Sequence, residues 1–186
     1  MDNTAKLYQD LDCVLITREQ IAARIKELGK KIARDYEGKD LLCICVLKGS
    51  AIFFSDLLRE IELPLEIDFI SLSSYGAGTV SSGIITERSG LTRDITDKHL
   101  LIVEDIVDSG RTLTYLKETL QKSTAASVAI CTLLDKPARR TTSLVPDYSG
   151  FTIEDAFVVG YGLDYDEKYR NLPDIGILSP RIYQEM

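Results

Sequence analysis

Apolar residues along this chain follow two periods, and each change of period marks an element. CVLIT is a short apolar stretch that reads as a first strand. Thr17 then begins Thr-Arg-Glu-Gln, a capping box with Gln20 in its third position. Ile21, Ile25, Leu28, Ile32 and Tyr36 follow at helical spacing, and Gly38 supplies the stop. LLCICVL has no polar alternation, the signature of a strand buried on both faces of a parallel sheet. SAIFFSDLLREI is a second helix. Pro64 breaks the chain, and LEIDFISLSSY is the next strand. SSYGAGTVSSG is uncharged and rich in Ser and Gly, and IITERSGLTRDITDK reads as a ribbon or hairpin at the rim of a sheet. HLLIVEDIV is a central strand, and RTLTYLKETLQKS is a helix with Leu113, Leu116 and Leu120 on one face. ASVAICTLLD is another buried strand. KPARRTTSLVPDYSG reads as a connection, and AFVVGYG and DIGILS as two short final strands. Strand–helix alternation of this kind makes an α/β fold with a mostly parallel central sheet flanked by helices. No repeat, low-complexity tract or linker divides residues 1–186, so one domain is expected.

Composition narrows the function classes. The net charge of −7 argues against nucleic acid as a partner, because that needs a basic face to displace counterions. No apolar run approaches the roughly 20 residues that span a bilayer, so no membrane partner is expected. The N-terminal MDNTAKLYQDLDC has acids and no apolar h-region, which suggests a cytoplasmic protein. Cys13, Cys43, Cys45 and Cys131 lie in or beside apolar runs and read as reduced core thiols. His99 opens a strand and reads as structural. Neither a metal-binding Cys/His spacing nor a Gly-x-Ser-x-Gly elbow is present.

The chemistry concentrates in LLIVEDIVDSGRTL. A buried strand delivers Glu104 and Asp105, then Asp108, Ser109, Gly110, Arg111 and Thr112 lead into a helix. Gly110 permits a close backbone turn. That turn and the helix start aim unpaired N–H groups at an anion, with Ser109 and Thr112 as hydroxyl donors. Carboxylates beside a phosphate cradle repel the phosphate itself. They can instead bind sugar hydroxyls or hold Mg²⁺. The pattern points to a ligand with a phosphate, a sugar diol and a metal. A P-loop and a dinucleotide fingerprint are both missing.

The apolar strand, two acids and Asp-x-Gly-x-Thr resemble the phosphoribosyl-pyrophosphate signature of type I phosphoribosyltransferases. VLKGSAIFFSDL, SLSSYGAGTVSSG, and LLDKPARR with FVVGYGLDYDEKYRNLPDIGIL narrow the likeness to the bacterial hypoxanthine(-guanine) members. The resemblance implies the type I phosphoribosyltransferase fold, with a core over about residues 38–150. A small hood would form from the N-terminal segment and about 151–186. It implies transfer of the 5-phosphoribosyl group to N9 of hypoxanthine and guanine. The products would be IMP or GMP and pyrophosphate, Mg²⁺ the cofactor, and the assembly a homodimer or homotetramer.

Residue roles implied by the resemblance follow segment by segment. Asp108, Ser109, Gly110, Arg111 and Thr112 would surround the 5′-phosphate, with Glu104 and Asp105 on the ribose hydroxyls and Mg²⁺. Asp108 would also lie beside the purine N7 as general base or acid, base being the simpler role for a carboxylate ionised at pH 7. Lys48 and Gly49 would bind pyrophosphate, and the Leu47–Lys48 peptide can be cis in the family. Arg170 would join them. Lys136 would donate to the 6-oxo group, Phe157 stack on the base, Val158 offer its backbone, and Asp164 reach a second Mg²⁺. Ser74 and Tyr75 would belong to a lid over 73–83 that closes on ligand. Two rivals stand beside this reading: a xanthine or pyrimidine phosphoribosyltransferase, and a non-catalytic regulator that binds RNA or a nucleotide effector.

Overall fold

The computed structural model describes residues 3–74 and 85–184. A first helix, α1 (Asn3–Tyr8), precedes strand β1 (Leu11–Ile16). Then come α2 (Arg18–Asp35), β2 (Leu41–Leu47), α3 (Ala51–Glu60) and β3 (Glu66–Ser74). After β4 (Ile85–Ser89), the chain forms β5 (His99–Val107), α4 (Arg111–Gln121) and β6 (Ser127–Asp135). A 3-10 turn (Pro137–Arg139), β7 (Tyr148–Thr152), β8 (Val158–Val159), β9 (Ile175–Leu178) and α5 (Pro180–Tyr183) complete the described chain.

The main sheet has the order β4-β3-β2-β5-β6-β7, parallel throughout except for the antiparallel edge strand β4. Successive side chains of a strand face opposite ways, and the core divides accordingly. Leu41, Cys43 and Cys45 of β2, with Leu101 and Val103 of β5, pack beneath α2 and α3. Leu42, Ile44, Leu100, Ile102 and Ile130 pack on the other face against Leu113, Leu116 and Leu120 of α4. Both faces are covered, which is why β2 and the first half of β5 carry no polar alternation. The α2 capping box is present: Thr17 Oγ1 accepts from Gln20 N, and Gln20 Oε1 accepts from Thr17 N.

The second sheet is small and antiparallel, in the order β1-β9-β8. It joins both ends of the chain. Leu7, Tyr8, Ile182 and Tyr183 pack together on Val159, Tyr169, Leu172 and Leu178. This is the hood.

Two expectations are corrected and one is narrowed. Tyr148–Thr152, passed over as a connection, is a fifth parallel strand, paired with β6. Gly150 interrupts its apolar pattern because a Cβ there would strike the Leu133 carbonyl. The expected rim ribbon is present as an edge strand antiparallel to β3 but is confined, among the described residues, to Ile85–Ser89. Cys13 is exposed, while Cys43, Cys45 and Cys131 are buried, because β1 has β9 as its sole strand neighbour and faces outward. His99 has a structural setting: its Nδ1 lies 2.7 Å from Ser127 Oγ and its ring edge meets Tyr36. No described helix is long and apolar enough to cross a membrane.

Candidate active site

In the main sheet the chain turns back between β2 and β5, which are neighbours although β3 and β4 intervene in sequence. Loops diverge beyond such a switch point and leave a crevice. Lys48 and Gly49 emerge from β2 on one side of it; Glu104 and Asp105 lie near the end of β5 on the other. The Leu47–Lys48 peptide is cis. Gly49 has no side chain for a spatial reason, because a Cβ there would collide with the Asp105 carboxylate.

Glu104 and Asp105 follow five residues of strand, and their carboxyls lie deep. Burial, and then the charge of Asp105, push Glu104 well above the usual carboxylate range. Burial also pushes Asp105 up, although hydrogen bonds from Glu104 and Ile106 N and the charge of Arg170 pull the other way. Ile106 N donates to Asp105 Oδ1 at 2.7 Å. Two desolvated acids side by side, with little cationic compensation, form a site that wants positive charge.

The next turn is the one in which the sequence suggested an anion cradle. Gly110 precedes α4 at φ +79°, and a Cβ there would strike Thr142 and Arg140. Its bracing lay beyond what the sequence revealed. Arg140 donates from Nε to Asp108 O at 3.1 Å and pairs with Asp135. Thr141 N donates to Ser109 O at 3.0 Å, and Lys136 N to Val107 O at 3.0 Å. The PARR segment therefore holds the turn from behind. Asp108, Ser109, Gly110 and Thr112 line a cleft of about 350 Å³ together with Lys48 and Gly49. Arg111 does not line it; its Nε turns to Thr141 Oγ1 at 3.3 Å.

A second cleft, of about 490 Å³, contains Lys136, Phe157, Val158 and Leu163. The two clefts share Asp105, Ile106, Asp108 and Asp164. Lys136 is buried, donates to Ala156 O at 2.6 Å and lies 3.9 Å from Asp155. Phe157 is 41% exposed, stacked on Tyr183 with centroids 5.0 Å apart. Arg139 bridges Asp108 at 3.3 Å and Asp155 at 3.4 Å, and the charges of those two acids raise its own pKa. Arg139, Asp155 and Tyr183 escaped the sequence reading; the KPARR context was the only pointer to Arg139. Asp164 and Arg170, expected on metal and pyrophosphate respectively, pair with each other at 2.8 Å. Arg170 Nη1 donates to Gly162 O at 2.7 Å, and its buried Nε has no partner among the described residues. Tyr75 and the side chain of Ser74 lie outside the described residues, as does the greater part of the expected lid.

Comparison with known proteins decides the family. A model of the phosphoribosyl transferase domain matches residues 16–166. The hypoxanthine-guanine phosphoribosyltransferase of Mycobacterium tuberculosis is 50% identical over 97% of this chain and 93% of its own. This chain belongs to the phosphoribosyltransferase family. Its structure resembles a Staphylococcus aureus hypoxanthine phosphoribosyltransferase with a TM-score of 0.93 at 48% identity, covering 98% of this chain and 99% of that one. The bifunctional protein TilS/HprT of Listeria innocua is 49% identical over 96% of this chain, which spans 28% of that protein's length.

The phosphoribosyltransferase donor set suits a hard divalent cation. Glu104 and Asp105 offer oxygen ligands whose buried charge a cation would relieve. No group of three or more His, Cys, Asp and Glu that could hold a metal occurs among the described residues.

Proposed function

We propose that this chain transfers the 5-phosphoribosyl group of phosphoribosyl pyrophosphate to N9 of hypoxanthine or guanine, giving IMP or GMP and pyrophosphate in purine salvage. One observation carries the reading: the cleft lined by the 108–112 turn and the cleft lined by Lys136 and Phe157 meet at Asp105, Ile106, Asp108 and Asp164. The reacting carbon of such a donor sits between its phosphate end and the incoming base.

The N–H groups of the turn 108–112 and the hydroxyls of Ser109 and Thr112 bind the 5′-phosphate. Arg111 supplies charge from the rim. Glu104 and Asp105 bind the ribose hydroxyls. Those two residues would hold one Mg²⁺ and Asp164 would reach a second, and the bound metal would supply neutralising charge for pyrophosphate. Lys48, the Gly49 backbone and Arg170 receive the pyrophosphate, and Ser74 and Tyr75 close over it. Phe157 stacks on the base and the Val158 backbone meets its edge. Lys136 donates to the 6-oxo group; a 6-amino group would set donor against donor. Asp108 takes the purine proton. Glycosyl transfer of this kind develops positive charge on the sugar, which the crowded carboxylates tolerate.

All of residues 1–186 serve this one unit, core and hood together. The free cysteines suit a cytoplasmic setting. The expected assembly is a homodimer or homotetramer, by resemblance to the family, with no nucleic-acid or membrane partner. The test follows ultraviolet absorbance with phosphoribosyl pyrophosphate, Mg²⁺ and each of hypoxanthine, guanine, xanthine, adenine and uracil. Turnover of hypoxanthine or guanine that chelator abolishes is expected. Turnover of xanthine or uracil alone overturns the base assignment. Silence with every base leaves a regulator that binds without catalysis.

A further inference from the structure

The hood loop contains a backbone conformation that its sequence should avoid. Tyr165 and Lys168 exchange backbone hydrogen bonds, Tyr165 N to Lys168 O at 3.2 Å and Lys168 N to Tyr165 O at 3.0 Å. The two residues between them, Asp166 and Glu167, have φ +51° and +60°. Two left-handed central residues between such a pair make a turn that favours Asn-Gly or Asp-Gly. Here the second position is glutamate, for which positive φ is uncommon. Residues held this way cluster at functional sites, so an observed outlier invites a functional question.

The side chain supplies an answer. Glu167 Oε1 lies 3.2 Å from Lys48 Nζ, and Oε2 lies 3.4 Å from Arg170 Nη2. One carboxylate thus bridges both cationic side chains assigned above to pyrophosphate. They reach it from separate parts of the chain, the loop after β2 and the end of the hood loop. Glu167 N donates to Asp164 Oδ2 at 2.9 Å, which fixes the turn against a cleft residue. Lys48 and Glu167 have side chains 68% and 64% exposed, so an incoming anion can displace the bridge.

We infer that Glu167 is a stand-in anion, occupying Lys48 and Arg170 until pyrophosphate displaces it and returning when pyrophosphate leaves. The inference rests on the phosphoribosyl-transfer reading and adds a residue that sets affinity at the leaving-group end. A carboxylate that competes with product lowers product affinity and speeds its release. Its removal should therefore tighten binding, whereas structural damage would weaken it.

The experiment is calorimetric titration of the whole protein with inorganic pyrophosphate and Mg²⁺. Glu167→Gln is expected to lower the pyrophosphate Kd at least threefold and to slow pyrophosphate release in single-turnover comparison. The KM for hypoxanthine should stay unchanged. Asp166→Asn removes the same charge one residue away, where the carboxylate pairs with Lys168. It is expected to leave the Kd unchanged, and an equal gain there would overturn the stand-in role in favour of general electrostatics. Glu167→Gly suits the positive φ and serves if the Gln variant folds poorly; it too should bind more tightly. Unchanged or weaker binding by both Glu167 variants, with the unaltered protein binding normally, overturns this inference alone. No pyrophosphate binding by the unaltered protein overturns the phosphoribosyl-transfer reading and this inference with it.

Discussion

At the scale of single residues, the cleft chemistry turns on charges whose neighbours decide their use. Lys136 is almost wholly buried, with a backbone carbonyl at 2.6 Å and a carboxylate at 3.9 Å. Its ammonium is therefore aimed rather than solvated. Lys136→Met should raise the KM for hypoxanthine about tenfold to a hundredfold, because a hydrogen bond to a charged group is worth about 1.5–3 kcal/mol. The KM for phosphoribosyl pyrophosphate should move little; a parallel rise in both constants would contradict a role on the base. Asp108→Asn should lower kcat by about 10²–10⁴, the usual range for removing a general base, with donor binding nearly kept. Steady-state kinetics with each substrate varied in turn distinguishes that outcome from a binding defect. The acids of the β5 end were legible in sequence because three of them precede Ser-Gly-Arg-Thr. The bridge of Arg139 from Asp108 to Asp155 was not, since it joins loops that only the fold brings together.

Elements carry a different kind of information. β2 and β5 were readable to the residue because burial on both faces leaves a continuous apolar run. β7 was not: it has five residues with glycine at its centre, and its place is set by close approach to β6. α1 and α5 were missed because helices of six and four residues show too little periodicity. Asp68 illustrates how an element is tied to its loop. It is 4% exposed in the middle of β3 and accepts from Phe69 N, Thr92 N, Thr92 Oγ1 and Arg93 N. Burial acts upward on its pKa, but those hydrogen bonds together win and hold it below the ordinary value. A depressed carboxyl contributes stability above its unfolded pKa, and that contribution is lost as pH falls through the folded value. Asp68→Asn should therefore cost about 1–3 kcal/mol at neutral pH. Chemical denaturation at a series of pH values should show the gap closing below about pH 3.9. A gap that persists in acid would assign the effect to shape rather than charge.

For the whole molecule, the strand order was beyond periodicity. Alternation announces a parallel sheet, yet the switch point between β2 and β5 depends on which crossover packs where. The site formed there is maintained at a cost to the fold. Glu104 and Asp105 are desolvated acids side by side, an arrangement that destabilises a protein without its cation. Glu104→Gln should raise the melting temperature of the metal-free protein by about 2–4 °C for each kcal/mol relieved. The same change should abolish most turnover. Calorimetry beside the ultraviolet assay checks both, and a melting point that falls would mean the pair is better compensated than its burial implies.

The hood also bears on how this fold can be cut and rejoined. Because Leu7, Tyr8, Ile182 and Tyr183 pack on one cluster, the first and last described segments are already neighbours. Sequence order can then be rearranged without changing which surfaces meet. A circular permutant that joins residue 186 to residue 1 through a short Gly-Ser linker and opens between Lys122 and Ser123, an exposed stretch after α4, keeps every strand pairing. Exposed loops are where such cuts succeed. The permutant is expected to melt cooperatively and to retain turnover within about an order of magnitude. Failure to fold would mean that chain order itself, and not only the final packing of the ends, is needed to assemble the hood.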